Sequence, residues 1–131
     1  MRILVAEDNE INQVVLATQL EKMGHDAVIT GDGLEALAAW QSQSFDLVLT
    51  DCHMPNMDGF GLTDAIRREE RERALPRVPI IAVTANAQAG EGDRCLARGM
   101  TAYLSKPVRM ADLRRAIDGA YPGVHPPAGL A

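Results

Sequence analysis

The sequence predicts an α/β domain, a doubly wound sheet of five parallel strands with five helices. Three observations predict it. Short apolar runs alternate with helical segments along the whole chain. The runs are nearly continuous in Val, Ile, Leu and Ala, which is the pattern of strands buried on both faces. The connections are short, as right-handed crossovers between neighbouring parallel strands require. A length of 131 residues fits one domain. Such a domain buries well over half of the surface of its unfolded chain.

The elements follow in order. "RILVA" (Arg2–Ala6) is the first strand and runs into Glu7-Asp8. Asp8 or Asn9 can cap the first helix, whose apolar positions are Ile11, Val15, Leu16, Leu20 and Met23, with Gly24 as its stop. "DAVIT" is the second strand and "GDG" a turn. Leu34–Gln43 is the second helix, with Leu37 and Trp40 on one face. "FDLVLTD" is the third strand. Gly59–Ala74 is the third helix, and its end, "RREERER", reads as solvated with local ion pairs. "VPIIAVTA" is the fourth strand. Ala87–Arg98 reads as one polar helix stopped by Gly99. "AYLSKP" is the last strand and Met110–Ala120 the last helix. The domain therefore covers residues 1–121, and the Pro/Gly-rich segment 122–131 is a tail or linker.

Composition narrows the function. Hydrophobic residues make up 47% of the chain and aromatics 4%, so the core is aliphatic. No apolar run reaches the roughly 18 residues of a membrane span, and no signal-peptide pattern opens the chain. A soluble, cytoplasmic domain without direct membrane contact is expected. A net charge of −5 argues against nucleic acid or an anionic membrane as partner. Cys52 and Cys95 fit no zinc or CxxC spacing and are read as reduced thiols. His25, His53 and His125 are scattered. A soft-metal site at Cys52-His53 is disfavoured, because adjacent residues of an extended chain point apart.

The polar residues that end strands carry the chemistry. They are Glu7-Asp8, Asp51, Thr84 and Lys106. In a parallel sheet all of them belong to the carboxyl edge, where such folds bind ligands. Three neighbouring carboxylates resist joint ionisation unless a cation compensates. Oxygen ligands with room for water suit Mg²⁺. Lys106 adds a point charge and Thr84 a hydroxyl, which together make a cradle for a phosphoryl group. Asp51, at the end of the most apolar strand, is the central carboxylate and the candidate nucleophile. Each group alone has an ordinary reading as a cap, a core hydroxyl or a solvated lysine. Their fall at the ends of different strands tells against it. Met54, Met57 and Met100 read as packing. Tyr103, three residues before Lys106, reads either as core or as a ring that moves.

"LVAEDN", "LTDCHMPNMDG", "PIIAVTANA" and "GMTAYLSKP", in that order, resemble the response-regulator receiver domains of two-component signalling over residues 2–120. The resemblance implies a flavodoxin-like strand order, 2-1-3-4-5. It implies that Asp51 is the phosphoacceptor. It also implies that Glu7, Asp8, Asp51 and the backbone carbonyl of His53 hold Mg²⁺, with Asp8 a more direct ligand than Glu7. Thr84 then corresponds to the switch hydroxyl, Lys106 to the phosphate-pairing lysine before a cis Pro107, and Tyr103 to the aromatic that moves with the threonine. His53 and Asn86 fall where side chains tune phosphoryl lifetime.

"EDNEINQ", "TDCHMPNMDG" and "TANAQAGEGDRCLARGM" are more similar to receivers inside hybrid sensor histidine kinases of the BvgS/EvgS type. The expected partners are thus a histidine kinase domain and a histidine phosphotransfer domain, with the receiver monomeric when isolated. The chain begins one residue before its first strand, as an excised fragment of the cytoplasmic part of a membrane-bound sensor kinase would. Thr101-Ala102 departs from the acidic residues common in such receivers. Two other readings stand beside this one. A free-standing single-domain regulator would act by phosphorylation-dependent protein binding. A phosphatase of the haloacid dehalogenase type would need an acid two residues after the nucleophile, where this chain has His53.

Overall fold

The computed structural model of the protein describes residues 1–120. The tail expected over 122–131 lies outside the described residues. Five strands, β1 (Arg2–Ala6), β2 (Asp26–Thr30), β3 (Leu47–Asp51), β4 (Ile80–Thr84) and β5 (Ala102–Ser105), form one sheet. Their order is β2-β1-β3-β4-β5 and every pairing is parallel. This is the flavodoxin-like arrangement that the resemblance implies. The helices are α1 (Glu10–Lys22), α2 (Gly33–Ser42), α3 (Gly59–Glu72), α4 (Glu91–Ala97) and α5 (Met110–Ala120).

The sheet separates two apolar layers. Leu4, Val48, Ile80 and Ala82 face Ala36 of α2, Leu62 and Ile66 of α3, and Cys95 of α4. Ile3, Val5, Leu49, Ile81 and Val83 face Leu16 and Leu20 of α1 and Leu113 and Ile117 of α5. Alternate residues of each strand thus feed opposite layers, and the central strands β3 and β4 are buried throughout. The edge strand β5 instead alternates between half-buried and exposed positions.

Of the apolar positions of α1, Leu16 and Leu20 are buried, whereas Ile11 and Val15, with Val14, are exposed, and two expectations need correction. At about 100° per residue, Leu16 and Leu20 share the face turned to the sheet, while Ile11 and Val14 lie nearly opposite. The run "RREERER" is not uniformly solvated. Arg67 and Glu70 are buried, three residues apart on the inner face of α3. The segment 87–98 is not one helix. A 3₁₀ turn (Ala87–Ala89) ends at Gly90, whose φ of +86° suits glycine, and α4 starts only at Glu91.

Candidate functional site

Local structure brings the strand ends into one cleft. The pairing puts Ala6 beside Thr50, Asp51 beside Val83, and Thr84 beside Ser105. Glu7, Asp8, Asp51, Thr84 and Lys106 therefore all lie at the carboxyl edge. The switch in strand order falls between β1 and β3, with the two acidic segments on either side of it. Of the two candidate caps for α1, Asn9 is the one used: its Oδ1 accepts from the Asn12 N–H at 3.0 Å. Asp8 is left exposed beside the cleft.

The β3–α3 connection explains the second acid-glycine pair. Asp58 caps α3 by accepting from the Gly61 N–H at 2.8 Å. The Gly59 N–H donates to the Cys52 carbonyl at 3.0 Å. A Cβ on Gly59 would overlap the carbonyl oxygen of Asp51. The chain can fold back so closely behind Asp51 only because residue 59 has no side chain.

The carboxylates of Glu7, Asp8 and Asp51 each bring an oxygen within 4.8 Å of the others. Lys106 Nζ lies 2.7 Å from Asp51 Oδ2 and 3.3 Å from Glu7 Oε1. The Lys106–Pro107 peptide is cis. Burial pulls the Lys106 ammonium toward lower pKa, but Asp51 and then Glu7 outweigh it and hold the value above the ordinary one. Burial pushes the Glu7 pKa up. The N–H of Asn9 opposes that, the charge of Asp51 adds to it, and the net direction is upward. Glu7 Oε2 accepts from that N–H at 3.0 Å, whereas Glu7 Oε1 is buried and faces the Lys106 ammonium at 3.3 Å. Three carboxylate oxygens within 4.8 Å of one another, with a single ammonium beside two of the three groups, are a donor set that fits a hard divalent cation.

Thr84 is fully buried, and its hydroxyl donates to Glu91 Oε1 rather than toward Asp51. The His53 ring turns to the same carboxylate, Nε2 to Glu91 Oε2 at 2.6 Å. Tyr103 is exposed at one side and rests its ring on Gly92. Asn86 donates its N–H to Thr84 Oγ1 at 2.9 Å. Glu91 is the residue that sequence reasoning missed. The two glycines around it in "AGEGD" are breaker signals that could have shown where α4 starts, although not where its carboxylate points. Cys52 and Cys95 are free, buried thiols with their sulfurs 3.4 Å apart. Cys52 thus points into the core while His53 points out.

An open parallel sheet with acids, a lysine and a hydroxyl gathered at its carboxyl edge defines an α/β domain of the doubly wound class. The chain belongs to the response regulator receiver domain family, whose profile matches residues 3–118. Among curated relatives it is 47% identical over 115 residues to the hybrid signal transduction protein dokA of Dictyostelium discoideum, covering 88% of this chain and 7% of that protein. The chain spans only 7–15% of the length of the first curated relatives it matches.

Among solved structures, the receiver domain of the sensor histidine kinase PA1611 from Pseudomonas aeruginosa is 40% identical with a TM-score of 0.82. That comparison covers 91% of this chain and 95% of the other, whose active site cleft coordinates a magnesium ion. The Saccharomyces cerevisiae Ssk1 receiver, crystallised with the histidine phosphotransfer protein Ypd1, is 28% identical with a TM-score of 0.85, covering 92% and 88% of the chains. The chain is therefore a two-component receiver domain, related to the receivers of hybrid sensor kinases. No helix among the described residues is long and apolar enough to cross a membrane.

Proposed function

We propose that this domain takes a phosphoryl group from a phosphohistidine onto Asp51, with Mg²⁺ bound beside it, and passes the group to a histidine phosphotransfer domain. The observation that carries the reading is the convergence of three carboxylate oxygens within 4.8 Å, with Lys106 Nζ 2.7 Å from Asp51 Oδ2. An Asp51 oxygen attacks phosphorus, the P–N bond to the donor imidazole breaks, and the acyl phosphate forms. Lys106 orients the carboxylate before transfer and pairs with the phosphoryl oxygens after it. Glu7, Asp8, Asp51 and the His53 backbone carbonyl would hold the metal, which supplies positive charge against the phosphoryl group.

A protein partner is supported by the surface around the cleft. Ile11, Val14 and Val15 are exposed on α1, just beyond Asp8. A neighbouring cleft of about 330 Å³ is lined by Glu7, Val15, Lys106 and Val108. A half-apolar rim around a charged centre suits a helix that presents a histidine. Incubation with phosphoramidate or acetyl phosphate, followed by intact mass, tests the chemistry. Wild type gains one base-labile phosphoryl group with Mg²⁺, and Asp51→Asn gains none. A phosphorylated Asp51→Asn, or full phosphorylation of wild type in EDTA, would overturn the reading.

A further inference from the structure

We propose that Glu91 is a positioning residue of the phosphoryl switch: its carboxylate holds the Thr84 hydroxyl in the resting domain, so the phosphoryl group must win that hydroxyl from Glu91. The inference rests on Asp51 being the phosphoacceptor. A threonine hydroxyl has one proton to donate. In the resting domain it goes to Glu91 Oε1, while Thr84 Oγ1 accepts the Asn86 N–H at 2.9 Å. The hydroxyl cannot donate at the same time to a phosphoryl oxygen on Asp51. Resting and phosphorylated states therefore compete for one proton.

Glu91 is suited to hold it. The side chain is 2% exposed, and three groups contact it: the Thr84 hydroxyl, His53 Nε2 at 2.6 Å and Arg94 Nη2 at 3.4 Å. Charge-assisted hydrogen bonds of this kind are stronger than neutral ones. Glu91 also joins three parts of the site. His53 follows Asp51 by two residues, and its ring is held by Glu91 Oε2. Gly92, the next residue, carries the Tyr103 ring, and a Cβ there would overlap that ring. Freeing Thr84 from Glu91 thus loosens the first turn of α4 under Tyr103. A binding event biases two states only through contacts that differ between them, and the Thr84–Glu91 bond is one such contact.

Beryllofluoride, an acyl-phosphate mimic, tests this when titrated with Mg²⁺ and followed by NMR at Asn86 and Tyr103. Glu91→Ala should bind it about tenfold more tightly than wild type, because the competent Thr84 is no longer withheld. Glu91→Gln keeps the shape with a weaker acceptor and should fall between them; it decides the question if the alanine variant does not fold. The gain should vanish without the hydroxyl, so Thr84→Ala and Thr84→Ala/Glu91→Ala should bind alike. Without beryllofluoride, the Asn86 amide should already shift in Glu91→Gln. A purely structural role for Glu91 would weaken binding in both backgrounds.

Unchanged or weaker binding in both Glu91 variants, or an equal gain in the Thr84→Ala background, would overturn the proposal. Failure of wild type to bind beryllofluoride would instead remove the phosphoacceptor reading, and this inference with it.

Discussion

Glu7 shows how one residue can serve the site at the expense of the fold. Its carboxylate is buried beside Asp51, and its raised pKa means that folding disfavours the ionised form. A raised folded-state value contributes stability that is full below the unfolded value of 4.5 and is lost as pH rises through the folded value. At neutral pH, then, Glu7 works against folding. Glu7→Gln should raise Tm in EDTA by a few degrees at pH 7. That gain should disappear below about pH 4.5, where both states of wild type bind the proton. Mg²⁺ should raise the Tm of wild type by binding only the folded state, and raise that of Glu7→Gln less. Thermal melts across pH, with and without Mg²⁺, check all three outcomes. A Glu7→Gln variant less stable than wild type at pH 7 would mean that the Lys106 contact outweighs the burial. Asp8 is exposed, so Asp8→Asn should leave the metal-free Tm unchanged and still weaken Mg²⁺ binding.

At the scale of elements, the β3–α3 connection sets the height of Asp51 in the cleft. Gly59 passes directly behind the Asp51 carbonyl, and the Asp58 cap fixes the direction in which α3 leaves. Gly59→Ala should destabilise the domain by about 1–3 kcal/mol, since the obstacle is backbone and cannot rotate away. It should also slow phosphorylation, because the strain reaches Asp51 itself. Gly119→Ala in α5 is the control. Nothing lies within 4 Å of the added carbon, so stability should hold or rise slightly and phosphorylation should not change. Urea melts and timed intact-mass measurements separate the two effects. Equal behaviour of the two variants would count against the close approach as the reason for Gly59.

For the whole molecule, the Arg67–Glu70 pair ties together parts that are distant in sequence. Arg67 Nη1 donates to Glu70 Oε1 and to the Val78 carbonyl, both at 2.8 Å, and Nε donates to the Gly99 carbonyl at 3.0 Å. Glu70 Oε2 accepts the Val78 N–H at 2.6 Å. The pair thus joins α3 to the entry of β4 and to the turn after α4. Its loss would leave a buried, uncompensated carboxylate. Arg67→Ala should cost roughly 3–5 kcal/mol, against at most about 0.5 kcal/mol for the exposed Arg68→Ala. Equilibrium urea unfolding of both variants is the measurement, and similar midpoints would show that the pair stabilises nothing.

The sequence by itself determined the alternation of elements, the strand positions to within a residue or two, and which polar groups end strands. These properties are local: an apolar run bounded by breakers is legible wherever its partners lie. It could not order the strands, since periodicity says that an element has a buried face and not what covers it; the order 2-1-3-4-5 was legible only through resemblance. For the same reason the apolar positions of α1 did not reveal that the sheet meets this helix through Leu16 and Leu20 and leaves Ile11 exposed. Arg67 and Glu70 read as solvated charges because their type is normally exposed, and Glu91 drew no reading at all. Only the tertiary structure supplies the partners that let them be buried. Glu91 meets a hydroxyl seven residues before it and an imidazole thirty-eight before it. The cost of burying a charge is decided by donors brought close in space, and no local pattern records them.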